Sequence, residues 1–202
     1  LEGAFGRLEF GTKMNPLVAF HGGSGYALGG NSVSTNVAAS MGFANFFTQK
    51  SITYSAKVAG LTTQVQYGFE DANAGPFSTA REQMYSGFAR YDIAGFAIGA
   101  AAQHIKDTGN SNASGSAVGA GGVTTPLVRD DDVTTWLVGV GYTFAGWTAR
   151  AMYINNDDVS RAGADWDNTA WHVGLKYAVT PQLEIGGSYT LHDSDSWLAN
   201  LQ

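Results

Sequence analysis

The sequence has no cysteine, only four prolines, and few charged residues for its length of 202. The lack of cysteine excludes disulfides, thiolate nucleophiles and thiolate metal sites. Asp, Glu, Lys and Arg make up 14% of the chain, against roughly 25% in soluble domains, which favours an apolar environment other than a soluble core. The net charge is −6 and the basic residues are scattered, so we expect no nucleic-acid partner.

The sequence also lacks any apolar run long enough to cross a membrane as a helix. What it has instead is glycine, at 27 residues, and aromatic residues, at 12%. This mixture is typical of many strands joined by turns. We therefore predict an all-β chain.

Apolar and polar residues alternate through four successive hairpins. In the third hairpin, Trp136, Val138 and Val140 alternate with Thr135, Gly139 and Gly141. Tight turns are predicted at Gly60, Gly95, Gly146 and Pro181, and long polar connections after Phe69, Ile105, Ile154 and His192. Tight turns at one rim and long loops at the other are typical of an antiparallel, up-and-down transmembrane β-barrel.

Aromatic residues gather at the two ends of these strands. Tyr91, Phe96, Tyr142, Phe144, Trp147 and Tyr177 lie toward the tight turns, and Tyr67, Phe69, Trp136, Tyr153, Trp171 and Tyr189 toward the other end. Two such belts match the two headgroup levels of a membrane. The alternative is a soluble β-sandwich, for example a carbohydrate-binding module that stacks sugars on Trp136, Trp166 or Trp171.

The opening of the chain, Leu1-Glu2-Gly3-Ala4-Phe5-Gly6-Arg7-Leu8-Glu9-Phe10-Gly11, resembles the segment that enters the constriction loop of Gram-negative general porins. Residues 14–49, rich in Gly, Ala and Ser, stand where that family has its inward-folded constriction loop. The resemblance extends over residues 1–202 as one partial porin-like barrel domain. It implies a homotrimer in the bacterial outer membrane, in contact with membrane lipid and lipopolysaccharide, that passes ions and small hydrophilic solutes by passive diffusion without a cofactor.

About nine strands can be counted, whereas the family resemblance implies about sixteen. In an up-and-down meander of about nine strands, the first and last would run parallel and could not close by antiparallel pairing. Open edges in hydrocarbon leave backbone groups unpaired. We therefore expect the chain to be the central portion of a larger barrel, incomplete at both ends.

The alternation also predicts which side chains face the interior. The predicted pore-lining residues are Arg7, Glu9, His21, Lys57, Arg90, Arg150, His172, Lys176 and Glu184. In the porin family, acidic groups on the constriction loop face a basic wall, but residues 14–49 contain no Asp or Glu. We therefore expect a constriction that is neutral or weakly selective for anions.

Neither a metal site nor an enzyme is predicted. Weak Ca²⁺ candidates are Asp130, Asp131, Asp132, Asp165 and Asp167, but their spacing matches no cation loop, and solvated loop acids are the preferred interpretation. The four histidines have no spaced ligand partners, and no phosphate loop or nucleophile elbow is present. A barrel specific for one solute, or a structural adhesin, remains a third alternative.

Overall fold

The computed structural model describes residues 1–23, 47–69, 82–107, 115–118, 124–127, 133–161 and 164–193. Its strands are β1 (Glu2–Gly3), β2 (Gly6–Met14), β3 (Phe47–Val58), β4 (Leu61–Gly68), β5 (Glu82–Ile93), β6 (Phe96–Asp107), β7 (Gly115–Val118), β8 (Thr124–Leu127), β9 (Val133–Phe144), β10 (Trp147–Arg161), β11 (Ala164–Thr180) and β12 (Leu183–Asp193). Ten form one sheet in the order β1-β2-β3-β4-β5-β6-β9-β10-β11-β12, and β7 pairs with β8 alone.

Every neighbouring pair in the large sheet is antiparallel, and consecutive strands along the meander are neighbours. The predicted all-β, up-and-down architecture is therefore confirmed. The sheet consists of the expected long strands together with the two-residue strand β1.

The two faces of the sheet differ sharply in exposure. On β9, Leu137 is fully buried, whereas its neighbour Val138 is 44% exposed. We call the face on which Val138 lies the outer face. Large apolar and aromatic side chains on β4, β6, β11 and β12 are also exposed there. Within the described residues no second layer covers this face, so the β-sandwich alternative is wrong.

Three of the tight turns are Ala-Gly pairs in which both residues have positive φ, as in two-residue β-hairpin turns. Glycine is required at the second position, because a Cβ on Gly60 would lie 2.6 Å from the Asp92 carbonyl oxygen. The Gly60 carbonyl instead accepts a hydrogen bond from the Asp92 N–H at 3.0 Å. Equivalent bonds link Gly95 to Thr143 and Gly146 to Ala178, so each turn also fixes the next strand.

Two predicted boundaries are wrong. The long connection expected after Ile154 does not exist, because β10 continues to Arg161 and β11 begins at Ala164. The polar residues there continue the backbone ladder, with a register shift between Asn156 and Val159, since strand pairing does not require apolar side chains. In addition, Phe47–Gln49 belong to β3 rather than to the predicted loop.

The chain leaves β2 in a short helical segment. Helix α1 (Pro16–Val18) is followed by a π-helical turn, Ala19–Gly23. The Asn15 side chain caps α1 by accepting a hydrogen bond from the Leu17 N–H at 3.0 Å. No helix among the described residues is long and apolar enough to cross a bilayer.

We call residues 15–23 the inward segment, and the face of the sheet on which it lies the inner face. Leu17 and Phe20 pack against apolar side chains of that face, namely Ala97, Ala101, Leu137, Met152, Ile154 and Ala170. The remainder of the predicted loop, residues 24–46, lies outside the described residues.

Candidate functional site

The strand register places the predicted pore-lining residues of the strands on the inner face. Arg7 lies opposite Ser55, and Lys57 lies opposite Thr62, which in turn lies opposite Arg90. On the other half of the sheet, Arg150 pairs with Gly141, His172 with Met152, and Lys176 with Thr148. Opposite residues of a ladder project from the same face, so these side chains line one surface, but they do not converge on one point.

The first group surrounds the start of β2. Glu9 Oε1 accepts a hydrogen bond from Lys13 Nζ at 2.5 Å and forms an ion pair with Arg7 Nη2 at 2.9 Å. Beside them is an open cavity of about 350 Å³. Its lining includes Glu2, Arg7, Ser55, Lys57, Thr62, Gln64 and Phe88. The lining therefore brings together two cations, Arg7 and Lys57, and one carboxylate, Glu2.

The second group consists of two ion pairs near the tight turns. Arg90 Nη2 and Asp92 Oδ1 are 2.6 Å apart, and Lys176 Nζ and Glu184 Oε1 are 3.0 Å apart. Both are partly exposed, so each contributes little to stability, typically about 0–1 kcal/mol. Both pairs place charged groups on the inner face of the sheet.

The third group comprises two buried histidines, His21 on the inward segment and His172 on β11, together with the partly buried Arg150 of β10. The Arg150 guanidinium lies over Gly141, where a Cβ would overlap it. Burial, and to a smaller extent the nearby His172, lowers the pKa of His21 to about 4. His21 is therefore neutral at physiological pH.

A polar network that the sequence did not reveal fixes the start of the inward segment. Asn15 is buried, its Nδ2 donates to Gln103 Oε1, and its Oδ1 accepts from Ser86 Oγ at 2.9 Å. The same Nδ2 lies 3.5 Å from Met84 Sδ. No sequence signal reveals these contacts of Asn15, because its partners on the sheet are 69 to 88 positions distant in the chain.

An apolar contact fixes the rest of the segment. Phe20 is fully buried, and its ring centroid lies 5.7 Å from that of Phe88. Its Cε2 occupies space that a side chain on Gly99 would need, at 2.6 Å from an ideal Cβ. The sequence holds one indication of this contact. Met84 and Phe88 are apolar, although they occupy the alternate positions of β5 that are otherwise polar.

The Ca²⁺ candidates gain no support. Asp130, Asp131 and Asp132 lie outside the described residues, and the backbone of Asp165 and Asp167 belongs to β11. Among the described side chains, no group of three or more His, Asp or Glu residues converges.

A single antiparallel meander with an apolar, aromatic-rimmed outer face and a charged inner face defines the wall of an outer-membrane β-barrel. The family model for Gram-negative porins matches residues 1–196. The chain belongs to the Gram-negative porin family, which confirms the resemblance noted in its sequence, and the protein is located in the bacterial outer membrane.

Solved structures share this fold at low sequence identity. OmpT of Vibrio cholerae, expressed in the outer membrane, gives a TM-score of 0.66 at 18% identity, covering 96% of this chain and 57% of that one. An anion-selective porin from Comamonas acidovorans gives 0.59 at 16%, covering 96% and 55%. A trimer form of in-vitro-folded Vibrio cholerae OmpT gives 0.55 at 17%, covering 95% and 67%. No curated protein matches the chain by sequence.

The chain thus spans less than two thirds of the length of the OmpT structure and of the Comamonas porin. Both likenesses concern the fold alone.

Proposed function

We propose that the protein is a passive diffusion channel for ions and small hydrophilic solutes across the bacterial outer membrane. The observation that supports the proposal is the inward segment, which packs on the charged face of a membrane wall, where it would narrow the open cross-section. Diffusion down a gradient needs no catalytic group or cofactor, so we propose no enzymatic activity.

The architectural predictions extend this proposal. Residues 14–46 would form the constriction loop, whose first nine residues after Met14 are the inward segment, and residues 1–202 would form one part of a larger barrel. The family resemblance supports a homotrimer surrounded by lipid and lipopolysaccharide. The exposed apolar outer face is compatible with contact to lipid or to a neighbouring subunit.

Planar bilayers test the channel directly. The whole protein, purified in detergent, should insert into a bilayer in discrete and uniform conductance steps. A solute-specific barrel would instead show small steps that its substrate blocks, and a structural adhesin would show none. Uniform absence of conductance from folded protein would therefore contradict the proposal.

The charges of the inner face support a neutral to weakly anion-preferring channel. Among inner-face residues with described side chains, the basic ones outnumber the acidic ones: Arg7, Lys13, Lys57, Arg90, Arg150 and Lys176 against Glu2, Glu9, Asp92 and Glu184. Glu9, Asp92 and Glu184 are each paired with a cation, which offsets both charges of each pair and leaves the positive excess of the inner face unchanged. The absence of Asp and Glu from residues 14–49 also favours anions over cations.

In a KCl gradient, the reversal potential should lie near zero or on the anion side. Lys57→Glu, which reverses an exposed inner-face charge beside the cavity, should shift it toward cation selectivity. Lys106→Glu, at a position of β6 that belongs to the outer face, is the matched control and should shift the reversal potential less. Strong cation selectivity of the unmodified protein would refute the predicted preference.

A further inference from the structure

One carboxylate of the inner face is held between two cations. Glu9 Oε1 accepts a hydrogen bond from Lys13 Nζ at 2.5 Å, and it lies 2.9 Å from Arg7 Nη2. Asp92 and Glu184 each pair with one cation instead. We call Arg7, Glu9 and Lys13 the charge triad. Because one carboxylate stands against two cations, the charge triad carries one net positive charge.

The charge triad lies where the inward segment leaves the wall. Lys13 is two positions before Asn15, the first residue of that segment. Glu9 belongs to the row of the strand ladder that also contains Ser86 and Gln103. These two side chains hold the side chain of Asn15 by hydrogen bonds. The charge triad therefore lies at the start of the inward segment and in the same row of the sheet as its attachment.

A unit of charge should act more strongly at the charge triad than near the tight turns. The side chain of Glu9 is 17% exposed, whereas that of Glu184 is 56% exposed. Glu184 and its partner Lys176 lie near the tight turn between β11 and β12. Salt screens exposed charges, whereas a cleft with low-dielectric walls concentrates the field of the charges that line it. A charge beside a segment that would narrow the channel is therefore better placed to act on a passing ion.

We propose that Glu9 determines the ion preference of the channel, because it offsets one of the two positive charges that Arg7 and Lys13 place at the start of the inward segment. This inference rests on the proposed channel function and deepens it. With Glu9 ionised, the charge triad attracts anions only weakly. Without the Glu9 charge, two uncompensated cations face the passage and the channel becomes clearly selective for anions.

Reversal potentials of the whole protein in a planar bilayer, under a KCl gradient, test this role. Glu9→Gln keeps the shape of the side chain and raises the charge of the triad by one unit. The ratio of Cl⁻ to K⁺ permeability should rise roughly twofold to fourfold, which is the effect of one unit charge about 10 Å from an ion in water. Lys13→Met lowers the charge of the triad by one unit, and should lower the permeability ratio by a similar factor.

The ion pair of Lys176 and Glu184 provides the matched control. Glu184→Gln and Lys176→Met make the same changes of charge on the inner face, but near the tight turn. Each should shift the permeability ratio less than its counterpart in the charge triad. The proposal is overturned if Glu9→Gln leaves the permeability ratio unchanged, or if Glu184→Gln shifts it as much.

The same measurements separate this role from a purely structural one and from the channel proposal. If Glu9 only held β2 in place, Glu9→Gln and Lys13→Met would not shift the permeability ratio in opposite directions. Retention of the β-sheet circular dichroism spectrum shows that a variant is folded, and Lys13→Met alone decides the matter if Glu9→Gln misfolds. Conductance with unshifted permeability ratios refutes only the role of Glu9. Absence of conductance from the folded, unmodified protein refutes the channel and this role with it.

Discussion

Replacement of Val65 by arginine should strongly destabilise the protein in a membrane. Val65 lies in the middle of β4 on the outer face and is 52% exposed. An arginine on the lipid face near the bilayer midplane costs roughly 2–4 kcal/mol. That is a large part of the about 5–15 kcal/mol by which native proteins are stable. Folding into lipid vesicles, followed by urea titration, measures the loss.

The preceding residue supplies the control. Gln64 lies on the same strand but on the inner face, where it lines the cavity with Lys57. Gln64→Arg should fold into vesicles as the unmodified protein does, and its reversal potential should shift further toward anions. If Val65→Arg inserts as well as Gln64→Arg, the outer face does not contact lipid.

This pair of neighbours illustrates how much of the fold could be predicted from the sequence. Side chains alternate between the faces of a strand with period two, so a membrane wall with water on its other side produces regular alternation. Ala-Gly pairs mark the turns because only glycine fits the second position without a clash. Both signals are local, and both the strand order and most strand ends follow from them.

The errors arose where local patterns do not determine structure. Three large apolar residues stand at alternate strand positions that face inward and are mostly polar. They are Leu137, Met152 and Ile154, and all are fully or almost fully buried on the inner face. The inward segment covers them there, and that contact joins residues more than a hundred positions apart. The extension of β10 was missed for a related reason, because polar strand ends outside the apolar band look like loop sequence.

The candidate site was predictable only in part. The charged residues of the inner face follow from the phase of alternation, and the register places those of the strands on one face of the sheet. How the inward segment is held does not follow, because Leu17 and Phe20 lie in a stretch without alternation. Their partners include small residues such as Ala97, Ala101 and Gly99. These small side chains leave space for the inward segment, but nothing in the sequence says that a segment fills that space.

Phe20→Ala should enlarge the channel. Removing a buried phenylalanine typically costs roughly 3–5 kcal/mol of folding stability. Here the cost should fall on the packing of the inward segment against the inner face. The ladder hydrogen bonds of the sheet are untouched, so the barrel should persist while the segment detaches from Phe88 and Gly99. Single-channel conductance should rise, and liposome-swelling assays should show entry of sugars larger than the unmodified channel admits.

Phe96→Ala distinguishes this effect from a general loss of an aromatic ring. Phe96 is exposed on the outer face and packs on Tyr142, with ring centroids 4.3 Å apart. Its loss removes one outer ring contact but leaves the inner face unchanged, so conductance and size limit should stay at the unmodified values. Equal conductance and equal size limits in Phe20→Ala and Phe96→Ala would mean that the inward segment does not narrow the pore. Both substitutions remove the same atoms, but Phe20 packs on the inner face of the sheet and Phe96 stands on its outer face, so a difference in conductance between them locates the effect on the inner face.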